Sequence, residues 1–298
     1  MRILLVAPQP FFQERGTPLA VRMLAEALCS QGHRVDLLTF PEGKDVSIDG
    51  LRIVRIPAIP GVRGVPIGIS WKKLACDGVL CMFLIWLVAK HRYDVIHAVE
   101  ESVFPAVLLR SATRLGVVYD MDSPLGDSLV AKWRLLRPLA HWLVALERSA
   151  IRRAQAVFAV CKDLANRAAT VAPNVPVFLI EDVALSGLPT REPAEELRAS
   201  LGTSSTLALY IGNLELYQGI DELIHAIALL PSDTDVKLTL IGGAPEEVTR
   251  VRSLAERLGV ERRVVAVGAR PVASIAGYLQ QADILISPRR EGSNTPMK

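Results

Sequence analysis

Twelve residues at the C-terminal end hold the densest set of groups able to do chemistry: Ser287-Pro288-Arg289-Arg290-Glu291-Gly292-Ser293-Asn294-Thr295-Pro296-Met297-Lys298. Arg289, Arg290 and Lys298 can neutralise a diphosphate. The backbone amides from Gly292 through Ser293 and Asn294 to Thr295 can donate to phosphate or to sugar hydroxyls, and Glu291 can accept from two hydroxyls of one sugar. The bland alternative is a solvated charged turn. The apolar run Ala282–Ile286 before the loop reads as a strand. A polar loop at the C-terminal end of a parallel strand is where open α/β sheets bind ligands.

Five more segments carry suitable residue types. Arg15-Gly16-Thr17 follows an apolar run and precedes a helical pattern, so Gly16 and Thr17 would sit where helix N–H groups and dipole favour an anion; an ordinary turn explains the same residues. His97, Glu100 and Glu101 close an apolar strand, where His97 can orient or deprotonate a hydroxyl, or serve as a hydrogen-bonded structural group. Asp120 and Asp122 lie two apart, on one side of an extended chain. They form a D-x-D pattern able to hold a divalent ion, to act as acceptor-side carboxylates, or to play a structural part. Gly212-Asn213-Leu214, with Gln218 and Gly219 beyond, and Gly242-Gly243 repeat the strand, glycine, helix order of a phosphate-facing loop. Counting the terminal loop, three glycine-bearing loops would then lie along one sheet edge.

Strand and helix patterns alternate almost throughout. Strands are expected at Arg2–Val6, Arg34–Thr39, Leu51–Ile56, Asp94–Ala98, Gly116–Met121, Ala156–Val160, Thr206–Ile211, Val236–Ile241, Val264–Val267 and Asp283–Ile286. Helices are expected between most of them, including Lys72–Lys90, apolar nearly all round. The rhythm breaks around Val177–Asp182. Pro173, Pro176, Gly187, Pro189 and Pro193 then crowd an expected interdomain connection. The expected fold class is α/β, with two doubly wound Rossmann-like domains at residues 1–183 and 184–298. The chain stops on Lys298 inside a motif, so the second domain is expected to be incomplete.

With 34 basic and 31 acidic side chains the net charge is only +3, too little for a nucleic-acid partner. The four cysteines are scattered and fit buried thiols rather than a zinc site. The apolar start before Pro8 is too short for a secretory signal, and no run is long enough to span a bilayer. The expected location is the cytoplasm, with attachment to the inner-membrane surface as a further expectation. Trp71-Lys72-Lys73 with Trp86, and the stretch from Lys132 through Trp142 to Arg153, put basic and aromatic residues beside apolar faces.

These residues resemble the retaining glycosyltransferases of family 4, which have the two-domain GT-B fold. The resemblance rests on Gly32-His33-Arg34-Val35, Asp94-Val95-Ile96-His97, Gly212-Asn213-Leu214 with Gly219-Ile220-Asp221, Leu240-Ile241-Gly242-Gly243, and Ala282-Asp283 through Glu291-Gly292 to Pro296. It implies sugar transfer from a nucleotide-sugar donor to a glycan or lipid-linked acceptor with retention, without a metal or another cofactor. Glu291 matches the glutamate that holds the donor sugar, and Gly16 the glycine that meets the diphosphate. Gly292 and Ser293 supply loop amides, and His97 and Glu100 match acceptor-side positions. The chain departs from the family where an Arg and a Lys give way to Asn213 and Gln218, and where a frequent His gives way to Asp122. A catalytically weak relative that only binds sugar nucleotides or a partner is therefore the main alternative. A metal-dependent transferase using Asp120 and Asp122 and a periplasmic sugar-binding protein are weaker ones.

Overall fold

The computed structural model describes residues 1–13, 16–66, 70–123, 137–181, 196–200 and 206–288. The terminal loop 289–298 lies outside the described residues. The chain divides into two compact units, 1–182 and from 183 onward.

The first unit is built on a sheet of β1 (Arg2–Ala7), β2 (Arg34–Thr39), β3 (Leu51–Arg55), β4 (Val95–Val99), β5 (Gly116–Met121), β6 (Ala156–Ala159) and β7 (Val177–Leu179). Their spatial order is β3-β2-β1-β4-β5-β6-β7 and every pairing is parallel. Strands buried on both faces must be apolar at every position, and β1 is: Ile3 to Ala7 are all buried. Helix Gly16–Ser30 covers one face through Val21 and Ala25. Helices Trp71–Lys90, Val103–Thr113, Arg137–Arg153 and Lys162–Val171 contribute to the core on the other face. The chain order reverses between β1 and β4, so their C-terminal ends form the crevice where such sheets place ligands.

Helix Arg137–Arg153 reads in the sequence only as a basic, aromatic stretch, and β7 lies where the strand–helix rhythm breaks. β7 is a three-residue edge strand with Phe178 and Leu179 exposed. One neighbouring strand suffices to hold it, so it needs no two-faced apolar pattern.

The second unit repeats the scheme with β8 (Thr206–Ile211), β9 (Val236–Ile241), β10 (Val264–Gly268) and β11 (Ile284–Leu285), in the parallel order β10-β9-β8-β11. Helices Ile220–Leu229 and Pro245–Arg257 bury Ile224, Ile227, Val251 and Leu254 in the core on one face. Leu197 and Tyr278 pack on the other. The reversal here falls between β8 and β11.

One buried charge ties the far end of the first sheet together. Asp36 on β2 accepts from Arg52 Nε at 2.8 Å and Nη2 at 2.7 Å, from Arg2 Nη2 at 2.9 Å and from the Tyr93 hydroxyl at 2.7 Å. Burial pushes its carboxyl up, but the hydrogen bonds from Arg52, Tyr93 and Arg2 outweigh that and hold it below the ordinary value. A depressed folded-state value adds stability above the unfolded carboxylate's pKa, and that stability is lost as pH falls through the folded value. Asp36→Asn is expected to cost about 2–3 kcal/mol in urea unfolding at neutral pH, with part of the loss screened because both arginines are half-exposed. The difference from wild type should shrink below about pH 4.

Candidate functional site

At the β1/β4 crevice the chain places carboxylates around one lysine. Lys73, in the first turn of its helix, donates to the Pro8 carbonyl at 3.1 Å and to Glu101, and lies 3.5 Å from Asp77 Oδ1. Burial pushes the Asp77 carboxyl up; Lys73 opposes this and Glu100 adds to it. Glu100 begins just past β4 with φ +50°, a left-handed conformation that a residue with a Cβ avoids unless its surroundings enforce it. Its carboxylate accepts from Ser123 Oγ at 3.4 Å. Acceptor-rich and partly buried, this cluster suits neutral hydroxyl donors better than anions.

His97 and Asp120 come from neighbouring strands, and Nε2 lies 3.0 Å from Oδ2. His97 is 4% exposed and its ring packs edge-on to Phe158. His97, expected as a catalytic group or as a hydrogen-bonded structural one, lies two residues short of the strand end with Nε2 facing Asp120. Asp120 lies on β5 and Asp122 in a bend one residue beyond its end.

In the second unit three loops converge on the β8/β11 edge. A Cβ on Gly219 would overlap the Pro288 carbonyl after β11, and one on Gly242 would overlap the Gly212 carbonyl after β8. Gly242 N–H donates to Gly268 O at 2.8 Å, and Gly212 N–H to Ile241 O at 2.9 Å. Gly243 lies against Leu214. Close approach thus explains these glycines from within the chain. Asn213 Oδ1 accepts from Gln218 Nε2 at 2.9 Å, and the Asn213 carbonyl from the Tyr210 hydroxyl at 2.7 Å. Arg250 bonds Asp221 and donates to the Leu214 carbonyl at 2.6 Å, so it steadies the loop and offsets an acid at the start of helix Ile220–Leu229. Glu247 Oε2 accepts from Ala244 N–H at 2.8 Å at the next helix start.

Comparison with known proteins decides the family. Residues 15–181 match the family described as Glycosyl transferase 4-like domain, and residues 194–295 match Glycosyl transferases group 1. The chain belongs to this glycosyltransferase family. It is 26% identical over 308 residues to the D-inositol 3-phosphate glycosyltransferase of Xylanimonas cellulosilytica, a match covering 93% of this chain and 70% of the relative. Sucrose-phosphate synthase from Thermosynechococcus elongatus shares the fold with a TM-score of 0.77 at 22% identity, over 97% of this chain and 75% of that one. HepE of Anabaena in complex with UDP aligns with a TM-score of 0.68 at 17% identity, over 97% and 74%. The fold is that of the GT-B glycosyltransferases.

For this glycosyltransferase the described residues divide the expected site between two sheet edges. Glu100 and Asp122 lie past the strand ends of the first unit, with Asp120 bonded to His97 on the strands behind them. Gly16 and Thr17 open helix Gly16–Ser30. A Cβ on Gly16 would meet nothing within 4 Å, so nothing described in the first unit requires glycine there. Asn213, Gln218, Gly219 and Gly243 gather at the second edge. Gln218 is turned inward and buried against Asn213 rather than held out as a cation substitute. Arg289, Arg290, Glu291, Gly292, Ser293, Asn294 and Lys298 lie outside the described residues. Lys73, Asp77 and Arg250 were missed. Their helical spacing is that of any amphipathic helix, and only the crossovers bring them to the loops. Among the described residues no group of three His, Cys, Asp or Glu is placed to hold a metal ion, and no helix is long and apolar enough to cross a membrane.

Proposed function

We propose that this glycosyltransferase moves a sugar, with retention, from a nucleotide-sugar donor to a glycan or lipid-linked acceptor of the cell envelope. The observation that carries the reading is the meeting of the loops after β8, β9 and β11 at the reversal point of the second sheet. Backbone amides crowd there and two helices begin, an arrangement that suits a diphosphate. Glu291 takes hydroxyls of the donor sugar, and Gly292, Ser293 and Asn294 offer amides. Arg289, Arg290 and Lys298 supply the counter-charge that Asn213 and Gln218 do not, with Gly16 and Thr17 as a further diphosphate contact. Glu100 and Asp122 receive the acceptor, and His97 fixes Asp120 beside them. The bond from the anomeric carbon to the diphosphate breaks as the acceptor hydroxyl attacks from the same face. A phosphate oxygen takes the hydroxyl proton, and amides and cations stabilise the departing charge. The bound UDP of HepE supports a nucleotide donor by analogy of fold.

A second reading, binding of sugar nucleotides without turnover, is favoured by the neutral Asn213–Gln218 pair where the family carries two cations. Incubation with UDP-, ADP- and GDP-sugars separates the two. Released nucleoside diphosphate and a product with the donor's anomeric configuration by NMR are expected. Binding without release favours the second reading, and absence of binding removes both. Glu291→Ala is expected to lower transfer roughly tenfold to a hundredfold, the loss of charged hydrogen bonds to the sugar.

We place the protein in the cytoplasm, against the anionic inner-membrane surface. On helix Trp71–Lys90, Trp71 is 64% and Trp86 48% exposed, with Leu74, Met82 and Ile85 exposed alongside, and Lys90 sits 4.7 Å over the Trp86 ring. Such a belt suits the headgroup region. Flotation with anionic vesicles at low salt is the expected result, and its failure would remove the attachment while leaving the transfer reaction standing.

A further inference from the structure

At the opposite edge of the first sheet, where strands begin, four arginines help line one surface cavity of about 450 Å³. It is lined by Val107, Arg110, Ser111 and Arg114 from the end of helix Val103–Thr113, and by Arg152, Arg153 and Ala154 from the end of helix Arg137–Arg153. Arg110 donates to the Arg153 carbonyl and Arg152 Nε to the Val171 carbonyl at 3.3 Å, so helix C-termini account for these two. They do not account for the whole set. Among the described residues no carboxylate forms an ion pair with any of the four.

Arg114 adds an independent sign. It caps its helix in the left-handed conformation, φ +59°, a position that glycine or asparagine fills with less strain. In that conformation Arg114 adds a fourth arginine to the cavity lining. Glu100, at the other end of the sheet, is the other described non-glycine residue with positive φ. Four forked, permanently charged donors around one hollow match the oxygens of a phosphate.

We infer that Arg110, Arg114, Arg152 and Arg153 form a phosphate site, separate from the polar cluster at the strand C-termini, and that the phosphate is that of an anionic lipid headgroup. The surrounding surface argues for the lipid source. Trp142, 71% exposed, and exposed Leu146 lie on the same stripe of their helix as Arg153, at spacings of eleven and seven residues. Leu108 is exposed on the neighbouring helix. The only acids of helices Trp71–Lys90, Val103–Thr113 and Arg137–Arg153 are Asp77 and Glu147, which are one-quarter exposed and buried respectively. Basic and apolar residues without a facing carboxylate suit an anionic bilayer. The lipid source rests on the membrane reading given above; the phosphate site does not.

Amide hydrogen exchange tests both on the whole chain. Millimolar sodium phosphate is expected to slow exchange in segments 107–114 and 150–154, and phosphatidylcholine–phosphatidylglycerol vesicles to slow the same segments. Arg114→Asn with Arg153→Gln is expected to weaken the phosphate effect at least tenfold at unchanged melting temperature, because neither side chain bonds another group among the described residues. Lys72→Gln with Lys90→Gln removes equal charge and should leave phosphate protection intact. Protection by phosphate but not by vesicles would keep the site and overturn the lipid source. No protection by either probe, or an arginine pair indistinguishable from the lysine pair, would overturn the site.

Discussion

Gly242→Ala is expected to destabilise the second unit by about 3 kcal/mol or more and to abolish donor binding with it. Two effects add. The residue sits at φ +114°, which an L side chain rarely adopts, and its new Cβ would overlap the Gly212 carbonyl oxygen. That carbonyl belongs to a rigid run, because Gly212 N–H is bonded to Ile241 and Gly242 N–H to Gly268. Neither partner is a flexible side-chain tip, so relief requires one of the loops to move. The loops after β8 and β9 would separate, and the amides they align would no longer converge. Urea unfolding followed by hydrogen exchange in β8 and β9 measures the stability, and nucleotide-sugar titration measures the binding. An alanine variant with wild-type stability and affinity would mean that the two loops do not approach as described. Gly16→Ala is the control. Among the described residues nothing lies within 4 Å of its Cβ, so its stability should be unchanged, and any loss should appear only in donor affinity.

Asp122→Asn is expected to lower transfer about tenfold to a hundredfold per folded molecule, the loss of a charged hydrogen bond to the acceptor hydroxyl. Asp122 lies past the end of β5, beside the edge that Glu100 and Ser123 share. His97→Ala should behave differently. It removes a buried ring and leaves Asp120 Oδ2 without that partner, so a stability loss of about 2 kcal/mol is expected first. Turnover per folded molecule should fall less than for Asp122→Asn. Melting curves with kcat and KM measured separately for both variants decide the matter. A large kcat loss for His97→Ala at wild-type stability would give the reacting role to the imidazole.

The α/β class and most strands were legible in the sequence because parallel strands buried on both faces are continuous apolar runs. Arg2–Ala7, Thr206–Ile211 and Val236–Ile241 show this directly. The glycine loops were legible for a similar local reason: a glycine between an apolar run and a helical pattern marks a tight turn wherever it lies in space. Edge strand β7 and helix Arg137–Arg153 were not, since one needs no two-sided burial and the other mixes basic, aromatic and small residues.

What the sequence determined by itself is therefore local: the elements, their order, and the residue types offered at each strand end. Which offers are taken up was decided by tertiary structure. The imidazole of His97 is drawn onto Asp120, Gln218 onto Asn213, and Lys73 between Pro8 and Glu101. Each pairing joins groups that local patterning leaves independent, and two of the three cross between strands or helices set side by side only by the crossovers. The physical reason is that hydrogen bonds and charges act over a few ångströms of space, whereas periodicity reports only burial along the chain.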